Sequence, residues 1–280
     1  MILLHVAAAA LYALTVGALW PQPAAATVGG AAASSRFAWG FWLLPAALSL
    51  HALAIVQDTA TAHGLDFSLL NAISVVGALL AAGAWVSGLL RTVPAIAAII
   101  LPVAATAVLL PALLPRLSPA LFANPHRFAY GAESLGALHV AVALVSYAMF
   151  LVAAVLAVVV MSLEKRLRAS LLDPEASAVP PLLTLERFLF RLVGVGYALL
   201  TLTLLSGVLF SEDVFGKPLR FTHKIVFSVL SWVVFGALLF GRHRYGWRGR
   251  TALHWILAGT GLLVVAYVGS KFVLEVILRR

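Results

Sequence analysis

The sequence predicts an all-α, polytopic membrane protein with about eight transmembrane helices, and three observations predict it. Of 280 residues, 63% are hydrophobic and 10% are charged, whereas soluble domains carry about 25% charged residues to keep their surface hydrated. The apolar residues fall into long runs, each near the roughly 20 residues that a helix needs to cross a hydrocarbon core. Lipid offers no partner for backbone N–H and C=O groups, so runs of that length must satisfy them internally as helices.

The runs lie at roughly 2–20, 38–57, 67–90, 93–115, 134–162, 188–211, 222–241 and 251–277. The first has no basic residue ahead of it (Met1 to His5 contains neither Lys nor Arg). It therefore reads as a retained first helix with its N-terminus outside rather than as a signal peptide. Pro21–Pro23 close it. The second run ends at the polar stretch Asp58–Asp66, and the third and fourth are joined across Arg91–Pro94. Pro115–Glu133 leads into the fifth run. The longest polar linker, Glu164–Arg187, contains Pro180 and Pro181 and precedes the sixth. No internal repeat is evident, and the chain reads as a single integral membrane domain over 1–280.

The net charge of +9 does not mark a nucleic-acid surface, which would gather Lys and Arg on one accessible face. Here the cations flank apolar runs, as the positive-inside bias requires. Linkers after the odd-numbered runs hold Arg36, Arg91, Lys165, Arg166, Arg168, Arg187, Arg242, Arg244, Arg248 and Arg250. The opposite side holds Arg116, Arg127, Lys217, Arg220, Arg279 and Arg280. The richer side is expected to be cytoplasmic, with both termini periplasmic in a bacterial-type inner membrane and with membrane lipid as the surrounding partner. The absence of cysteine excludes disulfides, thiolate metal sites and thiol redox chemistry.

The histidines are then the most informative side chains. In this topology His51, His63, His126, His139 and His223 fall on or near the external side, and His243 and His254 on the cytoplasmic side. Ionisable residues in membrane helices are costly and often functional, and neutral imidazole is a good axial ligand for haem iron. Two histidines on neighbouring helix ends would hold a flat porphyrin between them, and His139 and His223 have the depth for it. A helical histidine bonded to a neighbouring helix is the simpler alternative. His139, Ser146 and Tyr147 share one helix face by their spacing of seven and eight, which suits either a cofactor wall or a hydrogen-bonded helix seam. His223, Lys224, Ser228 and Ser231 recur at helical spacing in the seventh run. Lys224 is placed to meet an acidic group, either Glu212 or Asp213 or a porphyrin propionate. Lys271 and Glu275 are four apart and suited to pair with each other.

Leu138-His139-Val140 followed by Ser146-Tyr147-Ala148 resembles a helix of the CcsA/CcmC-type cytochrome c assembly proteins. Lys224 and Trp232, followed by Arg242 and Gly246-Trp247-Arg248-Gly249, resemble the stretch after that family's tryptophan-rich haem loop. His63 with Asn71 is similar to a further family segment. The likeness is strongest from His139 to Glu275 and points to the HemX-like, YpjD-like branch. It implies a haem-binding or haem-handling protein that assists cytochrome c assembly. Haem b would be the cofactor, His139 would be the first-choice iron ligand, and apocytochrome c or other assembly proteins would be partners. The chain departs from the family pattern in three places. Ser211–Phe221 contains no Trp, Phe240 stands where the family has a histidine, and no histidine follows Gly269. His223 is then the substitute second iron ligand, with His51 and His63 as further cofactor-binding candidates.

The alternative is a HemX-like, non-enzymatic scaffold or regulator of a haem-pathway enzyme, acting through Glu164–Arg187 or Arg242–Arg250. A transporter ranks below both, because repeat halves and broken mid-membrane helices are not evident. No carboxylate pair, nucleophile elbow or metal-ligand motif points to an enzyme.

Overall fold

A computed structural model of the protein describes residues 2–19, 30–61, 64–66, 68–89, 94–118, 129–130, 134–169, 182–209 and 223–269. Among them are eight α-helices: α1 (Ile2–Leu19), α2 (Gly30–Thr59), α3 (Leu69–Leu89), α4 (Pro94–Leu117), α5 (Ser134–Arg168), α6 (Leu182–Leu209), α7 (His223–Tyr245) and α8 (Gly249–Val264). The last continues as a π-turn over Val265–Gly269. Six are long and apolar enough to cross a membrane: segments of α3 to α7, and α8 together with the π-turn. The expected eight runs thus become eight helices, of which six have spanning length and composition. The shorter apolar stretch Ile2–Ala18 belongs to α1.

Three short strands were not foreseen: β1 (Ala60–Thr61), β2 (Gly64–Asp66) and β3 (Ala129–Tyr130). Strand β2 pairs antiparallel with β3, Leu65 opposite Tyr130 and Asp66 opposite Ala129. Outside the apolar runs the backbone polar groups still need partners, and a two-residue ladder supplies them. Asp66 Oδ1 then accepts the Ser68 N–H at 2.9 Å in a side-chain turn just before α3.

The chain divides into two compact units, one of residues 1–60 with 70–123 and one of 61–69 with 124–280. In the first, α1 packs on α2 and α4, and two polar rungs fix the antiparallel α1–α2 register. His5 Nε2 meets Asp58 Oδ2 at 2.7 Å, and Tyr12 OH meets His51 Nδ1 at 3.1 Å. The rungs are seven residues apart on each helix, two turns, so both lie on one face of each. Gly77 of α3 has no room for a side chain: a Cβ there would lie 2.5 Å from Ala107 Cβ of α4. Small residues allow this kind of close backbone approach between membrane helices.

In the second unit α5 packs on α6 and α8, and α7 packs on α6 and α8. Its centre is the stacked pair Phe150 and Phe235, ring centroids 3.9 Å apart and both fully buried. Hydroxyls tie the helices around that stack. Ser146 donates to Gly196 O at 3.0 Å, Ser231 to Gly259 O at 2.8 Å, and Thr260 to Phe150 O at 3.3 Å. The Gly246-Trp247-Arg248-Gly249 motif is the turn between α7 and α8. Gly246 (φ +68°) and Gly249 (φ +57°) adopt the left-handed conformation that disfavours a Cβ, and the Trp247 ring folds down onto Gly241. Trp247 also meets Trp255 of α8, at 5.2 Å between centroids.

Candidate functional site

The helices of the second unit separate two kinds of chemistry at their opposite ends. Helix α5 begins near His139 and ends in Glu164, about 37 Å further along at 1.5 Å per residue, and Arg168 one turn beyond. Around the His139 end lie Ser206 near the end of α6, His223 and Lys224 at the start of α7, and Tyr267 in the π-turn. At the other end Arg242 Nη1 meets Glu186 Oε1 at 3.1 Å, with its guanidinium 3.5 Å above the Phe190 ring. Glu164 meets Arg168 there at 2.5 Å and Arg250 at 3.9 Å.

His139 is half-buried, and its Nδ1 lies 2.8 Å from Ser206 Oγ. Ser206 Oγ also lies 3.1 Å from Thr203 O, a carbonyl that can only accept. A hydroxyl has one proton, so the two bonds coexist only if Ser206 donates to Thr203 and accepts the Nδ1–H of His139. That arrangement places a proton on Nδ1 of His139. Gly207, next in the chain, leaves space beside the ring, since a Cβ there would come only to ordinary contact, 3.5 Å from His139 Cε1.

Lys224 is close enough to His139 for the imidazole to sense its charge. Its ammonium stands 5.4 Å from the centre of the Tyr267 ring, a cation–π distance. Tyr267 meets Tyr147 edge-on at 5.6 Å. The polar stripe of α5 is therefore used along its length, His139 and Ser146 toward α6 and Tyr147 toward the π-turn. It is a hydrogen-bonded seam with a histidine at one end. Tyr267 sits where α8 widens to a π-turn, a departure that often accompanies functional sites.

His223, the first residue of α7, is exposed and adjacent to Lys224, so the structure brings its neighbour into the His139 group. His51 lies elsewhere, fully buried in the first unit. Both its ring nitrogens are engaged, Nδ1 with Tyr12 and Nε2 with Ser74 Oγ at 3.0 Å. A metal bond at His51 would require one of these inter-helix bonds to break. His63, His126, Glu212, Asp213, Lys271 and Glu275 lie outside the described residues. Sequence reasoning missed Ser206, Thr203 and Tyr267 around His139, and His5, Tyr12 and Ser74 in the first unit. Each is a polar residue in an otherwise apolar run, a signal present in the sequence but without a partner to give it meaning.

The Cytochrome C assembly protein family matches residues 39–278, most of the chain. The protein belongs to the cytochrome c assembly protein family. Among curated relatives, the inner membrane protein YpjD of Escherichia coli strain K12 is 34% identical over 140 residues, 50% of this chain and 52% of YpjD. An uncharacterized 28.8 kDa protein of Azospirillum brasilense is 38% identical over 143 residues, again 50% of this chain and 52% of the relative. The cytochrome c biogenesis protein CcsA of Trichodesmium erythraeum is 33% identical over 103 residues, 35% of this chain and 29% of that one. The chain thus spans about half the length of the first two relatives and less of CcsA. No solved structure matches it. It is a polytopic membrane protein of the cytochrome c biogenesis family, as the α5 and α7 motifs implied.

Proposed function

We propose that this member of the family handles haem during cytochrome c assembly, and that His139 is the axial ligand, through Nε2. The Ser206–Thr203 hydrogen-bond relay carries the reading. Metal-ligating histidines usually donate their other ring N–H to a fixed acceptor, which sets tautomer and ring orientation, and Ser206 does this for His139. The donor set fits haem: an imidazole held at Nδ1 by a serine, a nearby ammonium suited to a propionate, and tyrosines at one membrane end. Lys224 would take the propionate and His223 is the proposed second ligand. His51, with both nitrogens bonded, and His63 rank behind them as cofactor contacts. Haem b would supply the iron that is held and, on transfer, the group joined to an apocytochrome; the residues here bind and orient it and perform no bond chemistry of their own.

The same reading places eight crossings in a bacterial inner membrane, with both termini periplasmic and the Arg242–Arg250 end cytoplasmic. One integral membrane domain would then include α1 and α2. The test is an absorbance spectrum of detergent-purified protein from haem-replete cells. A Soret band is expected, with most of its intensity lost in His139→Ala and a smaller, broadened band in Ser206→Ala. A wild-type spectrum without a Soret band overturns the proposal.

The Trp-free stretch Ser211–Phe221 favours a second reading, a non-enzymatic scaffold or regulator of a haem-pathway enzyme. The exposed side chains of Arg244 and Arg248 would offer its docking surface. Altering them would then abolish the cellular haem phenotype while leaving bound haem unchanged.

A further inference from the structure

Between α5 and α8, at the arginine-rich end of the second unit, lies a groove of about 420 Å³ lined by Val158, Met161, Ser162, Lys165, Arg250, His254 and Leu257. The helices run antiparallel here: Arg250 lies opposite Glu164, and ten residues further along α8 Thr260 bonds to Phe150 of α5. The lining is graded along that shared axis. Lys165 and Arg250 stand at the mouth, His254 and Ser162 one turn inward, and Leu257 and Val158 about 10 Å from the mouth at 1.5 Å per residue. Among the described residues no carboxylate lines the groove; Glu164, beside it, is shared between Arg168 and Arg250. Helix α8 also starts at this mouth, and its N-cap residue Arg248 makes no side-chain hydrogen bond to the first turn. The positive end of the helix dipole therefore adds to the basic side chains.

We infer that this groove binds an anionic phospholipid, its headgroup phosphate held by Lys165, Arg250 and His254 and one acyl chain lying along Met161, Val158 and Leu257. The occupant follows from the gradient. A free phosphate would use the mouth and leave the apolar floor wet, and a neutral lipid would use the floor and leave the cations unmatched. An anionic amphiphile satisfies both, and the exposed Val158 and His254 open the groove sideways, as a chain entering from the bilayer requires. The site is separate from the His139 group at the opposite end of α5, and it does not depend on whether haem is bound.

The test is native mass spectrometry of the full chain in detergent, titrated with phosphatidylglycerol, phosphatidylcholine of the same chains, or inorganic phosphate. Wild type is expected to retain phosphatidylglycerol in preference to phosphatidylcholine. Each juxtamembrane cation contributes about fivefold to anionic-lipid affinity, so Lys165→Gln lowers phosphatidylglycerol retention about fivefold and K165Q/R250Q about 25-fold. Val158→Trp, which fills the floor and leaves every charge in place, lowers retention of both lipids and keeps the fold testable if the double variant is unstable. Equal retention of the two lipids by wild type overturns the inference, as does unchanged phosphatidylglycerol retention in K165Q and V158W. Inorganic phosphate that displaces phosphatidylglycerol and raises the melting temperature as much would also overturn it, identifying a free-anion site.

Discussion

Gly259→Ala adds one methyl group at the centre of the second unit, where the structure leaves no space for it. A Cβ at that position would lie 2.7, 2.9 and 3.0 Å from the Cζ, Cε2 and Cε1 atoms of Phe235. Carbon atoms in good contact sit about 3.5–4.0 Å apart, so the ring must retreat by roughly 0.8 Å. Behind it is Phe150, stacked at 3.9 Å, and behind Phe150 is Gly196, where a Cβ would itself come within 3.2 Å of the ring. Both rings are fully buried, so the displacement has to pass through the stack into α6. Overpacking of this kind costs about 1–3 kcal/mol, and the severity of the overlap places it in the upper half. Replacing a helical glycine with alanine returns about 1 kcal/mol through propensity, which leaves a net loss of about 1–2 kcal/mol. Gly261→Ala is the matched control: it is two residues away in the same helix, with nothing within 4 Å of its Cβ. The difference between the two variants isolates the steric cost, and the double variant G259A/F235L should recover much of it. Unfolding in mixed dodecyl maltoside and SDS micelles, followed by tryptophan fluorescence, measures all four proteins. Stabilities of G259A and G261A that agree to within about 0.5 kcal/mol would refute the account of this packing.

Tyr12→Phe removes the hydroxyl that partners His51 and should cost about 0.6–2 kcal/mol, the range for inter-helix hydrogen bonds in membranes; the same unfolding assay reads it. Arg242→Ala leaves the carboxylate of Glu186 without its 3.1 Å partner and should cost about 1.5–3 kcal/mol. Adding Glu186→Gln should recover part of that loss, and a double-mutant cycle with no coupling would count against the pair. Gly246→Ala forces a Cβ into a residue at φ +68° and should destabilise by about 1–2 kcal/mol, whereas Gly246→Asn should cost less. Ser206→Ala should leave folding nearly intact yet weaken haem retention about 10- to 100-fold, the usual effect of removing a ligand's hydrogen-bond partner; equal retention by both proteins would remove Ser206 from the proposed site.

Much of the fold was legible because hydrophobic run length is a local property. The six helices with spanning length arise from runs visible in the sequence, and His139 and His223 lie at the opposite end of the second unit from Arg242 and Arg250. The strands β2 and β3 were hidden because residues 64–66 and 129–130 are far apart in sequence and too few to carry a period. At the candidate site the sequence singled out His139, and the polar face it shares with Ser146 and Tyr147. Its chemistry was not legible, since Ser206 sits 67 residues away and Tyr267 is further still.

By itself the sequence determined the solvent this protein folds in, its helical class, its likeness to the cytochrome c assembly proteins and the residues around which a site could form. These follow from composition, run length and spacing, which do not depend on the rest of the chain. Tertiary structure alone decided which partners each histidine takes. His51 and His139 look alike as residues in apolar runs; one is bonded through both nitrogens, and the other is held through Nδ1 by a serine whose own proton is already committed. That difference resides in hydrogen-bond partners brought from distant helices, and only packing brings them together.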